Sequence, residues 1–489
     1  MKKLLLLPLL ALLGCSEDFL NLAPQSQVSL ETFYGSPADF RTAVNATYAA
    51  LQSNDLYGNT FHHLSEVPAD NVSVQNPGGA GRVQMSEIDL FVHSPTNASI
   101  QSFFSGSYLA IQRSNLVLER IGPVQMPDAL KNQFIGEAKF LRALNYFNLV
   151  RLFGDVPLVL TEIKDAQEGY QFTRSPVADV YKQLIDDLKD AESKLPATYT
   201  GADIGRATRG AAKTLLGKVY LTQKDFPQAA ATLKEVIDLT ATGGRVYDLA
   251  PQYRDNFDPA KSNNVGHRES IFEVQFKTGG IGEGSIYTTG AAPPNGPVSI
   301  TGVGIGNGGF MLPTPDAVQA YPRTDPRRSA NFDSLRINGL MNVWVKKYLQ
   351  PQYGSIPFNV SDSDMNFPLL RFADVLLMYA EALNEVNGGP NAAAYEAINR
   401  VRRRAYGVTN TSADVPPGLD KAAFALAVET ERRLELAFEG HRWFDLVRTG
   451  RALPVMTSKG FAMQPFHVLF PIPQSERDIN PKITQNDGY

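Results

Sequence analysis

Near the C-terminus, Glu431, Glu435, Glu439, His441, Trp443 and Asp445 carry the side-chain types that acid–base chemistry on a sugar would need. A glycoside hydrolase requires two carboxyl groups facing one cleft at a set separation. Here the three glutamates recur every four residues, so they fall on one helical face, beside Arg432, Arg433, Arg442 and Arg448. Opposite charges at such spacings pair locally, and the cluster therefore predicts structure rather than catalysis. Trp443 is expected in the core. His62 and His63 are adjacent and cannot face one metal from a helix or a strand. With no spaced acidic partner they predict a surface loop, with ligand contact as the sharper alternative. Gly304, Gly306 and Gly309 spell a phosphate-binding GxGxxG. No Lys or Arg lies between Thr278 and Phe310 to meet a phosphate, and Pro313 and Pro315 discourage a helix immediately downstream. Arg400, Arg402, Arg403 and Arg404 form a basic run at a predicted helix C-terminus, where cations complement the helix dipole. No catalytic residue, metal ligand or cofactor is predicted.

Cys15 is the only cysteine, so paired-thiol redox chemistry and cysteine-based zinc sites are excluded. Lys2 and Lys3 precede an apolar run, Leu4 to Leu13, broken by Pro8. A bilayer span needs ~20 apolar residues, whereas this run has the length of a secretory signal. Leu12-Leu13-Gly14-Cys15 resembles the lipobox of bacterial lipoproteins, whose cysteine carries acyl chains such as palmitate and begins the mature chain. Residues 1–14 are thus expected to be a lipoprotein signal peptide and 15–35 a lipidated tether. Ser16-Glu17-Asp18 resembles the surface-export signal of Bacteroidetes lipoproteins.

The elements that must position any site are helical in the first half. Without Lys2 and Lys3, 44 basic residues face 50 acidic ones, with no basic stripe for nucleic acid. Ser36-Pro37 opens a helix that places Phe40, Val44, Tyr48 and Leu51 on one face. Residues 100–121 repeat that period, and 137–153 are apolar almost all round, which marks a helix buried in a bundle. Ser175-Pro176 predicts the start of another helix. Leu216, Gly217, Tyr220, Ala229 and Leu233 sit at tetratricopeptide spacings, with Lys213 in place of the usual Trp. Gly388-Gly389-Pro390-Asn391 separates a further pair. Four pairs are predicted: 37–53 with 100–121, 137–153 with 177–195, 211–239, and 371–405. The Gly-, Pro- and aromatic-rich stretch of about 240–368 lacks helical period, as a functional insertion on a rigid frame would.

Several blocks together resemble the SusD/RagB-like nutrient-binding outer-membrane lipoproteins. They include the segment from Phe104 to Asn115, EAKFLRALNYFNLVRLFGDVPLV from Glu137, LLRFADVLLMYAEALNE from Leu369, ERRLELAFEGHRWFDLVRTGR from Glu431, and the ending from Pro471 to Asn486. The resemblance spans nearly the whole mature chain. It implies a mostly α fold of four tetratricopeptide-like helix pairs, with a loop-rich insertion carrying short strands. It divides the chain into an N-terminal SusD-like region, 36–240, and a C-terminal RagB/SusD region, 241–489, forming one compact unit. It also implies an outer-membrane location facing the cell exterior, a SusC-like TonB-dependent transporter as partner, and binding without catalysis.

The expected function is capture of an oligosaccharide or polysaccharide and its delivery to that transporter. A scaffold or lid of the transporter with a peptide or no small ligand is the alternative, and a hydrolase a third. Sugars present apolar ring faces and many hydroxyls, so their sites combine aromatic platforms with polar side chains in a preformed hollow. Two loop regions offer that mix: one with Phe61, His62, Asp70, Asn71, Phe91 and His93, the other with Tyr287, Asn307, Phe310 and Tyr321.

Overall fold

The computed structural model describes residues 33–74, 82–242, 244–264, 267–293, 295–301, 309, 311–337, 339–349, 359 and 361–489. The expected signal peptide, the lipidation site Cys15 and the tether up to residue 32 lie outside the described residues, as do Gly304, Gly306, Asn307 and Phe310. The chain is 55% helical. The main helices are α1 (Pro37–Gln52), α2 (Thr60–Ser65), α3 (Val83–Asp89), α4 (Ala98–Arg120), α5 (Asp128–Phe153), α6 (Val177–Lys194), α7 (Arg209–Thr222), α8 (Phe226–Ile237), α9 (Phe372–Val386), α10 (Ala392–Tyr406), α11 (Lys421–Glu435) and α12 (Arg442–Arg448). Strands are β1 (Val72–Ser73), β2 (Ser270–Val274), β3 (Leu312–Pro313), β4 (Phe332–Ile337), β5 (Leu340–Val345) and β6 (Phe367–Arg371), with two further short ribbons.

The four predicted pairs are present: α1 with α4, α5 with α6, α7 with α8, and α9 with α10. Consecutive pairs adjoin through α4 on α5, α6 on α7 and α8 on α9, so each buries a face that it could not bury alone. Local chemistry sets the ends. Ser36 and Asp39 form a reciprocal capping box at α1. Asn97 accepts the Ser99 and Ile100 amides at α4, and Asn391 accepts Ala394 N–H at α10. Helix α5 runs through the interior as its sequence predicts. Its buried Arg142 forks onto Asp187 at 2.8 and 2.8 Å. Gly217 holds α7 close to α8, since a Cβ there would stand 2.7 Å from Leu233 Cδ2. Lys213, at the tetratricopeptide Trp position, pairs with Glu192 and Glu235.

One local expectation is met by different means and one is corrected. Helix α6 begins just after Ser175-Pro176, as predicted, but without a side-chain cap from Ser175. Ser175 lies in a short ribbon opposite Val156, and Asp155 Oδ1 accepts the first helical amide, that of Val177, at 2.8 Å. A helix, Pro315–Ala320, does follow the glycine-rich stretch. Proline is tolerated at a first helical position, where no partner for its missing N–H is needed, and Thr314 caps that helix by accepting Ala317 N–H.

The insertion is tied to this frame in two places. Strand β6 pairs antiparallel with β2, Phe367 opposite Val274 and Arg371 opposite Ser270, and then runs directly into α9. Both strands are buried along their length. Strand β1 pairs with β3, Val72 opposite Pro313. The hairpin β4–β5 stands beside them, with Phe332 opposite Val345 and Ile337 opposite Leu340.

Candidate ligand-binding site

The β1–β3 pairing brings the two loop regions singled out in sequence side by side. Asn71 O accepts Thr314 N–H at 3.0 Å, and Asp70 O accepts the Thr314 hydroxyl at 2.8 Å. Beneath them, the His62 ring stacks on Tyr287 with centroids 5.0 Å apart and planes 10° from parallel. Tyr287 donates its hydroxyl to Asn366 O. His62 and Glu66 stand one helical turn apart, i and i+4, and face one small cavity of about 20 Å³ with Tyr287, Met311, Tyr348 and Phe438. Among the described residues, neither nitrogen of His62 nor Oε2 of Glu66 has a hydrogen-bond partner. Glu66 Oε1 accepts Gly440 N–H at 2.5 Å. Burial pushes the Glu66 carboxyl up to about 8 against the opposing Gly440 hydrogen bond. Burial, with His63 adding to it, lowers His62 to about 3. At neutral pH the pair is thus largely uncharged, as an apolar pocket requires.

The remaining sequence candidates are spread through the interior. Phe61 packs among Tyr57, Phe103, Phe367 and Phe444. Phe91 meets Trp443, Phe461 and His467. His93 shares a hydrogen bond of 2.9 Å with the Tyr489 hydroxyl. Tyr321 donates to Leu434 O and accepts from Asn331. Asp70 takes a fork from Arg442 and pairs with Arg433. Burial raises its carboxyl, but the Arg442 bond and the charges of Arg442, Arg433 and Lys459 outweigh this and hold it below the ordinary range. Asn71 Oδ1 accepts from Arg433 Nε. All eight described candidates are thus buried, none standing as an exposed platform. His62 and His63 are likewise corrected from surface loop to buried helix, on α2. The clustering of aromatics that suggested platforms reflects packing between α2 and the insertion.

Glu431, Glu435 and Glu439 are structural, but their partners differ from those expected. They turn inward and meet arginines distant in sequence rather than their helical neighbours. Arg327 bonds Asp325, Glu431 and Glu435. Arg371 bonds Glu269, Glu435 and Glu439. Arg404 joins Glu269 to Glu435, Arg402 pairs with Glu431, and Lys347 donates to Glu439. Five cations thus face five acids, and the insertion supplies Glu269, Asp325, Arg327 and Lys347. Meanwhile Arg432 and Arg448 bind Asp374, Asp445 and Glu381. Glu66, Tyr348 and Arg327 were missed in sequence. Only Glu66 left a signal there, its position four residues after His62.

The fold is thus a stack of helix pairs that carries a loop-rich insertion, tied to it through short paired strands. Residues 329–489 match the family described as the SusD family, and residues 18–221 match one described as "Starch-binding associating with outer membrane". A SusD-like protein, P25, of Formosa agariphila is 28% identical over 519 residues, spanning 96% of this chain and 95% of its own. A SusD homolog from Bacteroides thetaiotaomicron superposes with a TM-score of 0.81 at 26% identity, covering 95% of this chain and 99% of its own. A laminarin-binding SusD-like protein gives a TM-score of 0.79 at 28% identity, covering 93% of this chain and 100% of its own. The chain belongs to the SusD/RagB family.

Proposed function

We propose that this protein binds an oligosaccharide or polysaccharide at the cell surface and passes it, unmodified, to a SusC-like TonB-dependent outer-membrane transporter. In this reading Cys15 carries the lipid that holds it to the outer membrane, facing outward. The reading is carried by the β1–β3 pairing, which gathers both polar- and aromatic-rich loop regions at one end of a rigid helical frame. The laminarin-binding relative, which spans nearly the same length of chain, supports a glycan as the ligand. Asn307 and Phe310 contribute direct contacts in this proposal. Buried His62, Asp70, Asn71 and Tyr287 hold the loop bases, while Phe61, Phe91, His93 and Tyr321 pack beneath.

The test is calorimetry of the full chain in detergent against a panel of soluble glycans that includes laminarin, with a parallel assay for released reducing ends. Binding of at least one glycan without product formation is expected. Product formation would make the protein an enzyme. Binding to the transporter but to no glycan would make it a scaffold.

A further inference from the structure

We propose that the cleft between the helices Pro315–Ala320 and Pro326–Asn331 and the hairpin β4–β5 is a subsite for a negatively charged sugar, one bearing a carboxylate or a sulfate ester. The proposal rests on the glycan-binding reading and names the charge class of the ligand. The cleft has a volume of about 430 Å³, and Val318, Phe332 and Val343 give it an apolar floor. Thr324, Ser329 and Ser334 add hydroxyls at its rim.

The charges on its wall do not cancel. Arg323, Arg328, Asp325 and Asp333 line it. Asp325 is buried and saturated by Arg327, which donates Nε and Nη2 to its two oxygens at 3.1 and 2.8 Å. Asp333 is matched at 3.4 Å by Lys346, which follows β5 and does not line the cleft. Both acids are therefore neutralised by cations that do not line the cleft. Among the described residues no acid pairs with either arginine. There Arg328 donates only to the backbone oxygen of Tyr321, at 3.4 Å. Arg323 is exposed and makes no hydrogen bond or ion pair among the described residues. Elsewhere in this protein, arginines near an acid are forked onto it, as Arg142, Arg371, Arg442 and Arg448 are. Two planar guanidinium groups left unpaired over an apolar floor suit bidentate capture of a carboxylate or sulfate, with the floor receiving the sugar ring. The same walls disfavour a cationic amino sugar, and a neutral sugar would gain nothing from the charge.

The test uses the full chain in detergent and three probes: oligogalacturonate for the carboxylate, κ-carrageenan oligosaccharide for the sulfate ester, and laminarin as the neutral control. Binding is measured by calorimetry at low and high salt for the wild type, R323Q/R328Q and R323K/R328K. At least one acidic probe is expected to bind, more weakly at high salt as exposed charges are screened. R323Q/R328Q should lose about tenfold or more in affinity for that probe, as expected for two charge-assisted contacts. R323K/R328K should recover part of the loss, and any laminarin binding should be the same in all three proteins. Binding of laminarin but of neither acidic probe overturns the subsite and leaves glycan capture standing. Acidic binding unchanged in R323Q/R328Q also overturns the subsite. Failure of the wild type to bind any glycan removes both readings.

Discussion

Replacing Arg371 with Met should destabilise the whole protein. Arg371 lies at the junction of β6 and α9 and is 2% exposed. Its guanidinium meets Glu269 at 2.5 Å, Glu435 at 3.1 Å and Glu439 at 2.7 Å, and also the backbone oxygen of Glu435. Methionine fills much the same volume but removes one cation from a buried cluster in which five face five. One carboxylate charge is then left without a counter-charge and out of water. Removing one partner of a buried ion pair costs about 3–5 kcal/mol, well above the worth of a surface pair. Unfolding entropy near the midpoint is roughly 2 cal/mol/K per residue, or about 1 kcal/mol/K for 489 residues, so the melting temperature should fall by about 3–5 °C. Two controls isolate the charge. R371M/E439Q removes the surplus acid and should regain part of the loss. The R371M deficit should also shrink at pH 5, because an unpaired buried carboxyl can take up a proton there and relieve itself. Differential scanning calorimetry at pH 5 and pH 8 reads all of this. A melting temperature within 1 °C of wild type for R371M, or no recovery in R371M/E439Q, would refute the view that charge balance in this cluster holds the insertion to the frame.

Other perturbations follow the same logic. Glu66, with its carboxyl raised to about 8 when folded and near 4.5 when unfolded, binds its proton more tightly in the native state. That contribution is present below pH 4.5 and is lost as pH rises toward 8. Glu66→Gln keeps an acceptor for Gly440 N–H, so its stability relative to wild type should climb across that window in urea titrations. A flat difference would show that Glu66 is not held neutral. His62 and His441, lowered to about 3, and His63 and His93, lowered to about 4, act in the opposite direction. Their stabilisation is present above pH 6.5 and is lost as pH falls toward 3–4, so the melting temperature should drop between pH 6.5 and pH 4. Gly440 has φ 76°, and a Cβ there would stand 2.4 Å from Phe61 Cε1, so Gly440→Ala should cost about 2–4 kcal/mol by chemical denaturation. Cys15→Ser should abolish acylation and release the protein from membranes, which mass spectrometry and cell fractionation would detect.

The frame was readable in sequence because its signals are local. A cap at Ser36, a close-approach glycine at Gly217, and the Gly388–Asn391 break each act within one or two helical turns. The candidate site was readable only in part, because what determines it is long-range. His62 and Tyr287 are 225 positions apart and stack only because β1 pairs with β3 and β6 pairs with β2. A residue count gives no means of seeing that Phe61 faces Phe367, or that Arg327 reaches Glu431 and Glu435. The same limit explains the misassigned partners of the three glutamates. On a helix the i, i+4 arginine is always near, but a buried face meets whichever cation the neighbouring elements bring to it. In this chain those cations come from the insertion, from the β6–α9 junction and from α10. The acidic face of α11 thus does for the insertion what an apolar face does for a helix pair: it fixes one mutual position, by charge matching instead of volume. Loops based on such a clamp can vary in sequence without loosening the frame, provided the cations and carboxylates beneath them stay in balance.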